Sequence, residues 1–320
     1  MKQVRVGVIG VGYLGKFHAE KYAGLAEADL VAIVDTDPEK AQEIAGKFNA
    51  EAFTDYKDIF GRVDAVSIVV PTSLHHEAAK KFLENGIDVL VEKPMTTTLQ
   101  EANDLIAAAK AGGRILQVGH LERFNAAMLS LSGIIKKPMF IESHRLAPFK
   151  DRGTDVDVIL DIMIHDIDII LNIVNAPVSS IHAVGVPVVS NEKNDIANVR
   201  LEFATGCVAN VTASRISVKE MRKIRIFQQD AYFSIDYAAQ QVDVYRRMDP
   251  GGDYDTPQIM YDQIDITQGD SLKEEIRSFL KSVQTRSLPE VPGEAGRNAL
   301  KVALEIVEQI EAKKAALLPG

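Results

Sequence analysis

The sequence predicts an α/β protein: a doubly wound parallel sheet first, then an α+β part on a large, mainly antiparallel sheet. Three observations carry that expectation. Up to about residue 120, short apolar runs alternate with helical patterns. The first run opens directly into a glycine-rich turn, Gly10-Val-Gly12-Tyr13-Leu14-Gly15. Beyond residue 120, strand-like runs follow one another with tight turns between them. Strands that alternate with helices build a parallel sheet covered on both faces, whereas consecutive strands pair antiparallel.

The apolar runs of the first part cover residues 4–10, 30–35, 65–71, 88–94 and 114–120. Short runs rich in Val and Ile suit strands buried on both faces. Helices fit between them and carry start signals. Asp37 followed by Pro38 reads as a cap with proline at the first helical position, and Thr98 with Glu101 reads as a capping box. A helical segment at about 122–136 and a strand, "PMFIESHRL", then lead to a long helix from 155 to about 175, closed by Pro177. Strand-like runs follow, from "SIHAVGVPVV" to "QVDVYR", with hairpin turns expected at Thr205-Gly206 and Gln229-Asp230. "MDPGGDYDTPQ" reads as a loop, and two helices, Ser271–Thr285 and 294–316, end the chain. A chain of 320 residues exceeds one typical core. The expected domains are 1–121 and 122–320.

Composition excludes several classes. With 46% hydrophobic and 25% charged residues the chain is an ordinary globular protein. No run approaches the roughly 18 apolar residues of a membrane helix, and "MKQVRVGVIG" runs straight into a strand rather than a signal peptide. A net charge of -9 argues against a nucleic-acid groove but leaves room for a local basic patch. Cys207 is the only cysteine, so no intramolecular disulfide or multi-cysteine metal site can form. The expected location is the cytoplasm, with no membrane or nucleic-acid partner and no catalytic metal.

The glycine turn sits between a strand and a helix, which gives it chemical meaning. Gly10, Gly12 and Gly15 permit a tight turn, close approach to a pyrophosphate and close helix–strand packing. The helix N-terminus offers unpaired N–H groups to the anion, and Tyr13 and Leu14 lie within the same turn. Asp35 ends the next strand twenty residues past Gly15, where a carboxylate contacting an adenosine ribose belongs. A carboxylate there repels a 2′-phosphate, and Thr36 and Asp37 follow it rather than Arg or Lys. NAD is therefore expected over NADP. The competing reading is a plain glycine turn with a capping aspartate.

Two anomalies suggest catalysis. Ligands of a doubly wound sheet bind beyond the carboxyl ends of the strands, where Pro71-Thr72, Lys93-Pro94 and Gly119-His120 fall. Lys93 is thus delivered to the rim where a nicotinamide would lie; the alternative is a surface lysine paired with Glu92. The second anomaly is "DVILDIMIHDIDIIL", apolar nearly all round and hence a buried helix. Asp161 and His165 are four apart and share a face. Buried unpaired they would cost several kcal/mol, so they pair with each other or line a cavity. Asp166 and Asp168 read as ordinary, with room for one to be solvated. Oxidising an alcohol needs a base for its proton, and the ordinary pKa of histidine suits His165 to that. Asp161 would orient it, while Lys93 would steady developing alkoxide charge.

These pieces in this order, Gly10 to Gly15 with Asp35, Pro71-Thr72 with His75, Glu92-Lys93-Pro94, and Asp161-x-x-x-His165, resemble the glucose–fructose oxidoreductase/inositol dehydrogenase/MocA family over essentially the whole chain. The resemblance implies a Rossmann domain followed by one with an open-faced sheet, often used for oligomerisation, hence a homodimer or homotetramer through that sheet. It implies hydride transfer between NAD(P) and a sugar or cyclitol carbinol, with Lys93 and His165 at the hydroxyl and Asp161 beside them. The expected cofactor side also takes in Pro71, Thr72, His75, Glu92 and Gln117.

"GHLERFNAAM" (119–128) and "HRLAPFKDRGTDVDV" (144–158) are similar to family members that act on UDP-sugars, although Ala126 stands where proline is expected. That likeness implies oxidation of the C3 hydroxyl of UDP-N-acetylglucosamine or a related UDP-sugar. His120, Arg123, Asn125, Arg145, Asp161 and His165 are the expected substrate residues, and Arg123, Arg145, Lys150 and Arg152 the patch for a diphosphate. The alternatives are an inositol or free-sugar dehydrogenase, which needs no such patch, and a non-catalytic NAD-binding sensor. Lys93, Asp161 and His165 together speak against the sensor.

Overall fold

A computed structural model describes residues 3–149, 156–190, 193–248 and 256–317, with the side chains of the last helix to residue 314. Its first sheet holds β1 (Val4–Ile9), β2 (Ala28–Val34), β3 (Glu51–Phe53), β4 (Ala65–Ile68), β5 (Asp88–Glu92) and β6 (Leu116–Gly119), all parallel. Their order is β3-β2-β1-β4-β5-β6. The winding reverses between β1 and β4, the place where such sheets hold ligands. The helices are α1 (Gly15–Ala23), α2 (Pro38–Phe48), α3 (His75–Glu84) and α4 (Leu99–Gly112). The Asp37 carboxylate accepts the N–H groups of Glu39 and Lys40, and Thr98 and Glu101 cap α4 reciprocally. β3 escapes sequence reading because it is three residues long and not fully buried. β5 is buried throughout, and the Lys93–Pro94 peptide beyond it is cis.

The second sheet has eight strands: β7 (Phe140–Leu146), β8 (Val178–Val186), β9 (Ile196–Phe203), β10 (Val208–Ser214), β11 (Met221–Phe227), β12 (Ala231–Asp236), β13 (Gln241–Met248) and β14 (Gln258–Ile264). The order is β14-β13-β12-β11-β7-β10-β9-β8. β7 and β10 run parallel, and the other described pairs antiparallel. β14 is absent from the sequence expectation. Its side chains are mostly exposed, so no buried stripe announces it.

The helix expected at 122–136 is shorter. A 3₁₀ turn (Leu121–Phe124) stops at Asn125, whose side chain caps α5 (Ala126–Ser130). The long helix also departs from the ideal: Ile159–Met163 is a π-helical turn, followed by α6 (Ile164–Val174) and a left-handed Asn175. Its expected start at 155 lies outside the described residues. The chain ends in α7 (Ser271–Thr285) and α8 (Gly293–Leu317).

Two compact units result, Met1–Leu121 with Asp270–Leu300, and Glu122–Gly269 with Lys301–Gly320. The expected division assigned 270–300 to the second part; packing assigns it to the first. Ile276, Phe279, Leu280 and Val283 of α7 join Val4, Val6, Tyr22 and Leu90 in one core. Asp270 pairs with Lys21 at 3.0 Å, and Gln117 Nε2 donates to the Glu275 carbonyl at 3.2 Å. An amphipathic stripe shows that a helix packs, not on what.

Candidate active site

The dinucleotide edge is built by exclusion. At Gly10 (φ +83°) a Cβ would lie 2.6 Å from the Val69 carbonyl oxygen, and at Gly15 one would lie 1.8 Å from the Gly10 carbonyl oxygen. Backbone therefore forbids side chains at both. Gly12 differs: a Cβ there would meet nothing within 4 Å among the described residues. Its bareness leaves an open approach to the turn that packing does not require. The N-terminus of α1 carries no side-chain cap, unlike α2 and α4. Tyr13 and Leu14 stand exposed in the turn. Asp35 closes the edge. Its Oδ2 accepts the Val11 N–H at 2.9 Å and its Oδ1 the Asp37 N–H at 3.0 Å. Bare backbone, an uncapped helix start and a carboxylate beside them fit a dinucleotide.

Next along the rim come the ends of β4 and β5. Pro71 and Thr72 turn the chain into α3. Glu92, expected at the cofactor, points inward. Its carboxylate is buried, with Oε1 3.1 Å from His18 Nε2 and Oε2 accepting the Lys93 N–H at 3.3 Å. Burial alone would raise the Glu92 pKa, but His18 and the charge of Lys93 hold it below the ordinary value. A Cβ at Gly119 would fall 2.9 Å from that carboxylate, so glycine leaves the Glu92 side chain room to lie as it does.

His75 and Gln117, also expected at the cofactor, are buried and engaged with protein groups. The His75 ring is 1% exposed, with Nδ1 2.9 Å from the Pro94 carbonyl oxygen and Nε2 2.9 Å from that of Val70. Desolvation lowers its pKa. Gln117 is fully buried and ties α7 to β6. His120 is likewise buried just past β6.

In the second unit the buried acids are not the expected ones. Asp161, in the π turn, and His165, in the first turn of α6, are only half-buried. Asp166 and Asp168, which read as ordinary, are buried and paired. Arg145 reaches Asp166 at 2.7 Å and Glu122 at 2.8 Å; Arg123 grips both oxygens of Asp168 at 2.6 Å. Burial would lower the Arg145 pKa, yet Asp166 and Glu122 raise it. Neither arginine is a free cation awaiting a diphosphate, because each has been desolvated against carboxylates of its own unit. Lys150 and Arg152 lie outside the described residues. Asn125 is engaged too, since its Oδ1 accepts the Ala127 N–H at 3.1 Å and its Nδ2 donates to the Tyr237 carbonyl at 3.1 Å.

Sequence reasoning passed over His18, Glu122, Asp166 and Asp168 as partners. A signal existed for His18, which shares the helical face of the buried Gly15, Ala19 and Tyr22.

Such a glycine cradle, with an acidic strand end beside it and a lysine just past β5, defines a dinucleotide-binding oxidoreductase of the doubly wound class. The family model described as "Oxidoreductase family, NAD-binding Rossmann fold" matches residues 4–120, and that of the "GFO/IDH/MocA C-terminal domain" matches 135–234. The chain belongs to the Gfo/Idh/MocA family of NAD-binding oxidoreductases. It is 38% identical to the UDP-N-acetylglucosamine 3-dehydrogenase of Acidithiobacillus ferrooxidans over 98% of this chain and 99% of that one. A solved structure of that enzyme superposes with a TM-score of 0.91, at 37% identity and coverage of 98% and 99%. The scyllo-inositol 2-dehydrogenase (NAD(+)) of Bacillus subtilis is 31% identical over 67% of this chain and 68% of its own.

Proposed function

We propose that the protein is an NAD-dependent dehydrogenase that oxidises the C3 hydroxyl of UDP-N-acetylglucosamine, or of a close UDP-sugar, to a 3-keto sugar. The carrying observation is the end-to-end likeness to a UDP-N-acetylglucosamine 3-dehydrogenase, in both sequence and fold. When bound, NAD supplies the hydride acceptor. The protein's share is to orient the sugar and handle its proton. Lys93 donates a hydrogen bond to the reacting oxygen and steadies its developing charge. His165 takes the hydroxyl proton as base, with Asp161 orienting its ring. Asp35 selects NAD, and Lys150 and Arg152 supply cations for the diphosphate in place of Arg123 and Arg145.

The engaged state of Arg123 and Arg145 favours one second reading, a cyclitol or free-sugar dehydrogenase, for which no diphosphate anchor is needed. The test is a panel of UDP-sugars, inositol and free hexoses with NAD, followed as NADH absorbance. Keto products of this kind accumulate poorly, so a transaminase with an amino donor is included. NADH with UDP-N-acetylglucosamine supports the proposal; turnover of inositol or a hexose alone moves the protein to the second reading.

The protein works in the cytoplasm as a homo-oligomer joined through the second sheet. One face of that sheet carries an aromatic ladder, Phe140, Phe227, Tyr232, Tyr245 and Tyr261, with successive ring centroids 5.6, 4.7, 4.8 and 5.2 Å apart. An aromatic stripe across five strands on the face opposite the core suits a second copy of the same sheet.

A further inference from the structure

We propose that two buried histidines, His18 and His75, are positioning residues that clamp the Lys93 turn from its two sides and tie it to the elements that cradle the cofactor. The inference rests on the reading of Lys93 as the residue that meets the reacting oxygen.

Lys93 lies between two tethered neighbours. On one side, Glu92 places its carboxylate 3.1 Å from His18 Nε2 and turns its other oxygen back to the Lys93 N–H at 3.3 Å. On the other, the Pro94 carbonyl oxygen lies 2.9 Å from His75 Nδ1. The opposite nitrogen of that ring lies 2.9 Å from the Val70 carbonyl oxygen, so one imidazole sits between the chain ends beyond β4 and β5 and, when neutral, donates its single N–H to one of the two carbonyls. His18 stands on α1, which opens at the glycine turn, and His75 opens α3 immediately after Pro71 and Thr72. Each half of the clamp therefore starts from an element of the dinucleotide edge and ends beside Lys93.

Both histidines are 1% exposed, so they face protein rather than solvent. Packing alone would be met more cheaply by an apolar side chain, because a buried imidazole and a buried carboxylate both lose hydration. What the polar pair adds is direction. A hydrogen bond fixes distance and angle where an apolar contact allows sliding. A lysine on four methylenes needs such a fixed base if its ammonium is to meet one oxygen.

The test uses the full-length protein and four variants, His75→Phe, His75→Gln, His18→Phe and His18→Gln. Phenylalanine keeps ring shape and removes the polar contacts, whereas glutamine keeps one amide donor. Calorimetry gives the NAD dissociation constant, NADH formation gives kcat, and hydrogen–deuterium exchange reports local protection. We expect NAD affinity to stay within about threefold while kcat of the phenylalanine variants falls about 100-fold, with partial recovery in the glutamine variants. Exchange should quicken in peptides covering 92–98 and stay unchanged in α2 and α4. Unaltered kcat and unaltered exchange at 92–98 would overturn the clamp. Weaker NAD binding with kcat retained would make His75 a cofactor residue instead, and quicker exchange throughout would reduce both histidines to general stability. If the unaltered protein oxidises no sugar tested, the proposed function fails, and the exchange and NAD measurements still decide the clamp. Should a phenylalanine variant not fold, its glutamine counterpart carries the same comparison.

Discussion

Asp35 and Lys93 carry different kinds of free energy, and their variants should separate them. The Asp35 carboxylate already accepts two backbone N–H groups at the glycine turn, and in the proposed role its negative charge repels a 2′-phosphate. Asp35→Ser should leave NAD usable and narrow the gap in kcat/KM between NAD and NADP; equal use of both by the unaltered protein would refute the assignment. In the proposed role of Lys93, Lys93→Met removes an interaction that belongs mainly to the transition state. It should leave NAD binding nearly unchanged while kcat falls by orders of magnitude, roughly 100- to 10,000-fold. His165→Asn should do the same and also alter the pH–rate profile. Near-normal turnover by both variants would make the two residues structural. The places of Asp35 and Lys93, just past the ends of β2 and β5, were legible from the apolar runs before them. Burial was not legible: Glu92, His75 and Gln117 turn out to be buried against protein groups, because a polar residue at a strand end can face the ligand or the core.

Among the elements, the helix bearing Asp161 and His165 is held by charges that its apolar sequence hides. Arg145 joins Glu122 and Asp166 out of solvent, and Arg123 joins Asp168. Replacing Arg145 by Met would strand two buried carboxylates, at a cost of about 3–5 kcal/mol, which a thermal melt would show as a large drop in Tm. Little change would mean that the pair is not desolvated.

The turn after β8 depends on a carboxylate in the same way. Asp195 accepts the N–H groups of Val188, Val189 and Ser190 at 2.7–2.8 Å, and the Ser190 hydroxyl at 2.6 Å. Burial would raise its pKa, but these donors hold it at about 2, below the 3.8 of a free aspartate. A depressed folded pKa stabilises above the unfolded one and ceases to do so as pH falls through the folded value. Asp195 should therefore contribute roughly 2 kcal/mol at neutral pH that disappears between about pH 4 and pH 2. Melts of Asp195→Asn should show a loss at pH 7 that shrinks toward pH 2; a loss independent of pH would exclude the carboxylate charge as its source.

At the scale of the whole molecule, the aromatic ladder predicts association. Light scattering should find more than one chain per particle, and Tyr232→Asp with Tyr245→Asp should lower the mass toward one chain with the fold intact. A monomeric unaltered protein would leave the ladder without that role. The sequence by itself determined the parallel sheet, its caps, the glycine cradle with Asp35, the delivery of Lys93 to a strand end and the apolar helix with Asp161 and His165. All of these are local: period, cap chemistry and backbone permission are written within a few residues of where they act. Tertiary structure decided what depends on partners distant in the chain. It brought α7 back to the first core, gave Glu92 to His18, stretched His75 between two carbonyls, and withdrew Arg123 and Arg145 into ion pairs with Asp168, Asp166 and Glu122. A charged side chain has the same sequence whether water or a carboxylate solvates it, and only the fold supplies the carboxylate.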